Sequence, residues 1–163
     1  MNIAIKNKNT LILDDFKFKC CVGKYGFTKN KVEGDKKTPI GVFKLGNLYF
    51  RKDKFSKLDT KLKKIPIKKN MGWCDDIKSS KYNKLIKLPF KMRHEKMYKQ
   101  NSSYDLLIPI NYNVTNTKKG KGSAIFLHLT RNYKPTLGCI AVSKKDFLII
   151  LKLINKKTII KIN

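Results

Sequence analysis

Short apolar runs broken by charged or glycine-bearing turns dominate the chain. Asn2–Ile5 and Thr10–Leu13 flank the polar stretch Lys6-Asn7-Lys8-Asn9, a pattern that predicts a hairpin. Phe16-Lys17-Phe18-Lys19-Cys20 alternates apolar and charged positions with period two, the mark of a half-buried strand. Residues 23–38 are glycine-rich and charged and predict a long loop, while Ile40–Tyr49, Ile65–Ile67, Leu106–Tyr112, Ala124–Leu129 and Thr158–Ile162 predict further strands. One helix stands apart. Ser143-Lys144-Lys145-Asp146 has the form of a capping box with Asp in place of Glu, and opens into the apolar run Phe147–Ile154. A segment so uniformly apolar must lie against a sheet, so the pattern predicts a mainly β fold with one late helix.

At 163 residues the chain suits one domain, 1–163, long enough to bury a real core. Hydrophobic residues at 41% exclude wholesale disorder, and no apolar run reaches the length of a membrane span. Met1-Asn2-Ile3-Ala4-Ile5-Lys6 has neither an apolar h-region nor a small-residue cleavage site, so no secretory signal is visible.

Charge is the loudest feature: 38 basic against 11 acidic residues, a formal +27. Such a surface attracts nucleic acid, anionic lipid or an anionic polymer. Arg51, Arg93 and Arg131 are the arginines, however, and the lysines are scattered rather than gathered on one periodic face. Sequence-specific nucleic-acid readers favour arginine, whose planar fork matches bases and phosphates, so no specific nucleic-acid partner is expected. Two readings of the lysines remain: compositional drift with general anion attraction, or a selected polyanion site.

Several motifs can be set aside. Cys20, Cys21, Cys74 and Cys139 contain no CxxC pair, so zinc spacing is absent, and a chain this long needs no disulfide framework. Adjacent Cys20 and Cys21 would point to opposite faces of their strand. His94-Glu95 is followed by Tyr98 where a metalloprotease helix needs a second histidine, and Gly120-Lys121-Gly122-Ser123 lacks the order of a phosphate loop. No metal and no cofactor is expected. Asn101-Ser102-Ser103 and Asn113-Val114-Thr115 are formal glycosylation sequons of a kind that arises by chance.

The remaining chemistry lies late in the chain. His128 ends an apolar strand, and Cys139 follows eleven residues later within Thr136-Leu137-Gly138-Cys139-Ile140-Ala141-Val142. A cysteine needs a base or a cation beside it to form a thiolate near neutral pH, and a histidine on a neighbouring strand end supplies one. Glycine before a nucleophile lets the backbone turn so that successive N–H groups converge on an oxyanion. An arbitrary Cys/His pair is more commonly a buried thiol and a core imidazole.

The surroundings reverse that balance. Residues 122–128, Gly-Ser-Ala-Ile-Phe-Leu-His, followed by residues 135–143, Pro-Thr-Leu-Gly-Cys-Ile-Ala-Val-Ser, resemble the catalytic core of the L,D-transpeptidase (YkuD-type) family. Gly34-Asp35-Lys36-Lys37-Thr38-Pro39-Ile40-Gly41-Val42-Phe43 is similar to a second block of that family. Gly72-Trp73-Cys74-Asp75-Asp76, with Tyr82-Asn83, His94-Glu95 and Tyr104-Asp105-Leu106, resembles its single-domain bacterial branch. The likeness runs from Lys17 to Ile162.

The resemblance implies a YkuD-like β-sandwich of mixed sheets and acyl transfer on peptidoglycan stem peptides. A cysteine thiolate attacks the third-residue carbonyl of a tetrapeptide stem, D-alanine leaves, and an amine of another stem resolves the thioester. Water in place of the amine would make the enzyme an L,D-carboxypeptidase, and a non-catalytic polyanion binder is the reading from another class. Carried over by residue, Cys139 is the nucleophile, His128 its base and then acid, and the N–H groups of Gly138 and Cys139 the oxyanion hole. Thr136, Arg131, Trp73, His94 and Tyr104 are candidates for contact with substrate. Trp73 reads equally as core, and His94-Glu95 equally as a surface pair. A carbapenem is the implied covalent inhibitor, and the bacterial cell envelope the implied compartment. Two departures matter: Leu137 stands where many members have His, and Ala141 where many have Arg or Asn. Arg131, Arg93 or a lysine must then meet the substrate carboxylate. The short gap from His128 to Cys139 implies a short lid over an open cleft.

Overall fold

The computed structural model describes residues 1–163. Strands β1 (Asn2–Lys6) and β2 (Thr10–Leu13) form the expected hairpin, with Ile3 opposite Leu13 and Lys6 opposite Thr10. This register sends Ile3, Ile5, Leu11 and Leu13 into the core together. Strand β3 (Phe16–Cys21) pairs with β2, and its period-two pattern buries Phe18 and Cys20. The long loop follows, interrupted by the parallel pair β4 (Phe27–Thr28) and β5 (Thr38–Pro39).

The run read as one strand over 40–49 is two, β6 (Gly41–Lys44) and β7 (Leu48–Phe50). Between them Gly46 donates its N–H to Pro109 O at 2.8 Å, and a Cβ there would meet Pro109 at 3.2 Å. That close approach breaks the run. Then come β8 (Lys64–Pro66), β9 (Met71–Cys74), β10 (Leu85–Lys87), β11 (His94–Lys96), a 3₁₀ turn at Ser102–Tyr104, β12 (Leu106–Pro109), β13 (Phe126–Leu129), β14 (Ile140–Val142), α1 (Lys144–Leu153) and β15 (Ile159–Ile162).

Ten strands form one mixed sheet in the order β6-β15-β1-β2-β3-β14-β13-β12-β7-β8, and β10-β9-β11 form a second. Strands β12 to β14 are buried on both faces, so they carry near-continuous apolar runs. Their alternate residues divide between two cores. Leu106, Ile108, Leu127, Leu129, Ile140 and Val142 share one with Phe147, Ile150 and Leu151 of α1. Leu107, Phe126 and Cys139 share the other with Trp73 of the second sheet and Tyr104 of the 3₁₀ turn. Each fully buried Leu, Ile or Phe contributes about 1.5–3 kcal/mol. The helix starts where the capping box places it: the Ser143 hydroxyl accepts the Asp146 N–H at 3.1 Å. The fold is thus mainly β, of mixed curled sheets with one late helix, as expected.

Candidate active site

The position of Cys139 against His128 is fixed by sheet register. Strands β13 and β14 run parallel, with Leu127 beside Ile140 and His128 beside Ala141. Cys139 therefore lies level with Phe126, and the Phe126 N–H reaches Cys139 Sγ at 3.4 Å. Alternation puts Phe126, His128 and Cys139 on one face, that of the second core, while Leu127, Ile140 and Val142 face the helix. The same face opens into a cleft of about 680 Å³ lined by Cys139, His128, Tyr104 and Glu95 on its inner side.

The thiol is buried and hydrogen-bonded. Sγ donates to Ala124 O at 3.2 Å and accepts from the Phe126 N–H, and no hydrogen bond joins it to His128. Burial pushes the thiol up to about 12, with the Glu95 carboxylate adding to the rise. Burial likewise lowers His128, against the Leu129 and Ser103 carbonyls and Glu95, which favour its charged form. His128 Nδ1 lies 2.9 Å from Leu129 O. A carbonyl only accepts, so that bond places the proton on Nδ1 and leaves Nε2 with the lone pair. At rest the pair is a neutral thiol and a neutral imidazole.

The loop before Cys139 is held from two sides. Gly138 has φ +140°, and a Cβ there would come within 2.9 Å of Lys37 O. Only glycine fits that turn. Thr38 Oγ1 accepts the Gly23 N–H at 2.9 Å and donates to Gly138 O at 2.9 Å, so the 34–43 block serves to clamp the loop before Cys139. Thr136 Oγ1 donates to Cys139 O at 2.6 Å and accepts the Gly138 N–H at 3.1 Å. The Gly138 N–H, a candidate oxyanion donor from sequence, is thus already taken. The Cys139 N–H has no acceptor within the chain and is the available donor.

The other sequence candidates divide. His94, Arg131, Tyr104 and Thr136 all line the cleft. The Thr136 hydroxyl, however, is engaged inside its own loop. Tyr104 packs its ring edge-on to His128 at 5.2 Å and is buried. His94 Nδ1 meets Met92 O at 2.7 Å. Trp73 does not line the cleft. It lies in the second core, edge-on to Phe126 at 5.2 Å, with its Nε1–H donating to Asn83 Oδ1 at 2.9 Å. Trp73 sits in β9, whose buried face takes the indole, so it is core and not cleft lining.

Cations crowd the cleft. Arg93 pairs with Asp75, Lys31 with Asp35, and Lys99 with Glu95, whereas the exposed Lys36, Arg131 and Lys134 have no carboxylate partner. Buried Ala141 and exposed Leu137 also line it, the two positions that depart from the family's usual residues. The loop between His128 and Cys139 is short, as expected, with Asn132 and Tyr133 both left-handed at its tip. Sequence reasoning missed Ala124, whose carbonyl receives the thiol, because a backbone group has no signature in side-chain chemistry.

Residues 3–162 match the YkuD family, the L,D-transpeptidase catalytic domain. The chain belongs to that family. No curated protein and no solved structure matches it. Membership of the L,D-transpeptidase family supports peptidoglycan-directed activity of this type and action at the cell wall or periplasm. No helix is long and apolar enough to cross a membrane.

Proposed function

We propose that this chain is a cysteine acyltransferase that cross-links peptidoglycan stems through a thioester on Cys139. The observation that carries the reading is that Cys139 and His128, on adjacent parallel strands, open into one cleft beside a free Cys139 N–H.

His128, neutral through burial, accepts the thiol proton, and Sγ attacks the third-residue carbonyl of a tetrapeptide stem. The Cys139 N–H faces the developing oxyanion. His128 returns its proton to the departing D-alanine nitrogen as the C–N bond breaks, leaving a thioester. The acceptor amine attacks the thioester, and His128 takes the amine proton and passes it to Sγ as the C–S bond breaks, restoring the neutral thiol and imidazole. Lys36, Arg131 and Lys134 supply positive charge for the stem carboxylates, in place of the cation that Ala141 lacks.

The test is incubation with purified tetrapeptide-stem muropeptides and mass spectrometry of the products. Dimer with release of D-alanine supports the reading. Tripeptide alone would assign the L,D-carboxypeptidase activity instead, and no turnover with tight binding of nucleic acid would assign the polyanion binder.

A further inference from the structure

Ala124 accepts the Cys139 thiol on its carbonyl at 3.2 Å, yet it holds a left-handed backbone, φ +52°, that a residue with a Cβ avoids. Something must hold it there. Its N–H donates to Asn83 Oδ1 at 3.0 Å. The same oxygen accepts the Trp73 indole N–H, while Asn83 Nδ2 donates to Tyr112 O at 3.1 Å and Asn113 O at 2.8 Å. All four hydrogen-bonding positions of the amide are filled, in a side chain only 3% exposed. Asn83 is itself left-handed at φ +57°, a conformation asparagine tolerates, and its N–H donates to Cys74 O at 2.8 Å. A satisfied buried amide is rigid, since moving it would orphan several partners at once. Three segments, at Trp73, Tyr112–Asn113 and Ala124, are thereby tied to one point.

We propose that Asn83 is a positioning residue for the nucleophile, setting through Ala124 the carbonyl on which the Cys139 thiol rests. The proposal rests on the assignment of Cys139 as nucleophile. An acceptor for S–H favours the neutral thiol, so releasing Ala124 makes the thiolate easier to form and at the same time misplaces it. Two effects of opposite sign follow, a more alkylatable Cys139 and a slower enzyme. A loss of stability alone would expose buried Cys20 and Cys74 to alkylation along with Cys139. The other groups that act on the thiol are Glu95, Lys99, Lys31, Tyr104 and the Phe126 N–H, and Asn83 bonds to none of them.

The test is Asn83→Gly, which suits the left-handed backbone and deletes the amide. Iodoacetamide labelling is followed by peptide mapping across a pH series. In Asn83→Gly the labelling rate of Cys139 should rise several-fold at each pH, with buried Cys20 and Cys74 unchanged. Its kcat on a tetrapeptide stem should fall roughly tenfold or more, with KM within about twofold. Labelling and kcat of Asn83→Gly within about twofold of wild type would overturn the proposal, as would labelling of Cys139 that rises only together with Cys20 and Cys74. Should Asn83→Gly fail to fold, hydrogen exchange on the wild-type chain decides: the Ala124 amide must exchange as slowly as those of β13, and exchange as fast as the exposed 131–135 loop overturns the proposal. Cys139→Ala separates the two assignments. Turnover in that variant would sink the nucleophile itself, whereas an inactive Cys139→Ala beside a normal Asn83→Gly would sink this proposal alone.

Discussion

Cys139 and Ala124 are joined by an S–H···O=C hydrogen bond of 3.2 Å, and no hydrogen bond joins the thiol to His128. The resting site therefore holds its thiol neutral, and on the proposed reading the first step withdraws that proton from the Ala124 carbonyl.

Stability at alkaline pH should report that bond and the burial behind it. The thiol of Cys139 lies at about 12 in the folded chain and at 9.0 when unperturbed. Between those values the unfolded chain has lost a proton that the folded chain keeps, so stability falls as pH rises, by about 1.4 kcal/mol per pH unit for one full proton. Below the lower value this contribution is constant. Denaturant titrations from about pH 8 to about pH 11 should show a shallower decline for Cys139→Ala than for the wild type. Parallel declines would mean that the thiol is not held neutral. Cys20, also raised to about 12 by burial, contributes its slope equally to both proteins.

Arg131 should act on substrate and not on chemistry. It is exposed on the loop between β13 and β14, lines the cleft and has no carboxylate partner, unlike Arg93, which Asp75 holds. Charge reversal, Arg131→Glu, should raise KM for a tetrapeptide stem about threefold to tenfold, the scale of an exposed ion pair, with kcat within about twofold. Steady-state kinetics check it. An unchanged KM would move the carboxylate contact to Lys36 or Lys134.

Trp73 should matter for stability and not for substrate binding. Trp73→Phe keeps the ring against Phe126 and loses the indole hydrogen bond to Asn83, which should lower stability by about 1 kcal/mol. Trp73→Ala should lower it by about 3–5 kcal/mol. KM should stay within about twofold for Trp73→Phe, because the indole lies outside the cleft. A large rise in KM would return Trp73 to the substrate site.

The hairpin of β1 and β2, the alternating β3, the capped helix and β15 were all legible in the sequence, because each follows from local periodicity or a local cap. The second sheet was not. Its strands span three or four residues, and Met71–Cys74 becomes a strand only because Leu85–Lys87 and His94–Lys96 pair with it from a distance. At the site, residue type and spacing single out Cys139 and His128, and the structure brings both to one cleft. The Ala124 carbonyl, the Cys139 N–H and the Thr38 clamp on Gly138 are tertiary arrangements of backbone groups, which no residue type announces.

The formal charge of +27 should act at long range. Attraction between exposed charges is screened beyond about 8 Å at physiological salt. Binding to the sacculus should weaken as salt rises, while kcat on a small soluble stem should change far less, because on the proposed reading proton transfer stays within the cleft between half-buried His128 and buried Cys139. Sedimentation with sacculi and kinetics on the small peptide, across one salt series, check both. Equal sensitivity would show that the lysines act inside the catalytic site.

The most direct test of the central assignment is to trap the acyl-enzyme. The chain is mixed with a tetrapeptide stem without acceptor, quenched in acid, weighed intact and mapped by peptide. The account predicts a tripeptide acyl group in thioester linkage on the peptide that carries Cys139, matched by released D-alanine, and neither product in Cys139→Ala. An acyl group on Cys20, Cys21 or Cys74, or D-alanine released by Cys139→Ala, would contradict it.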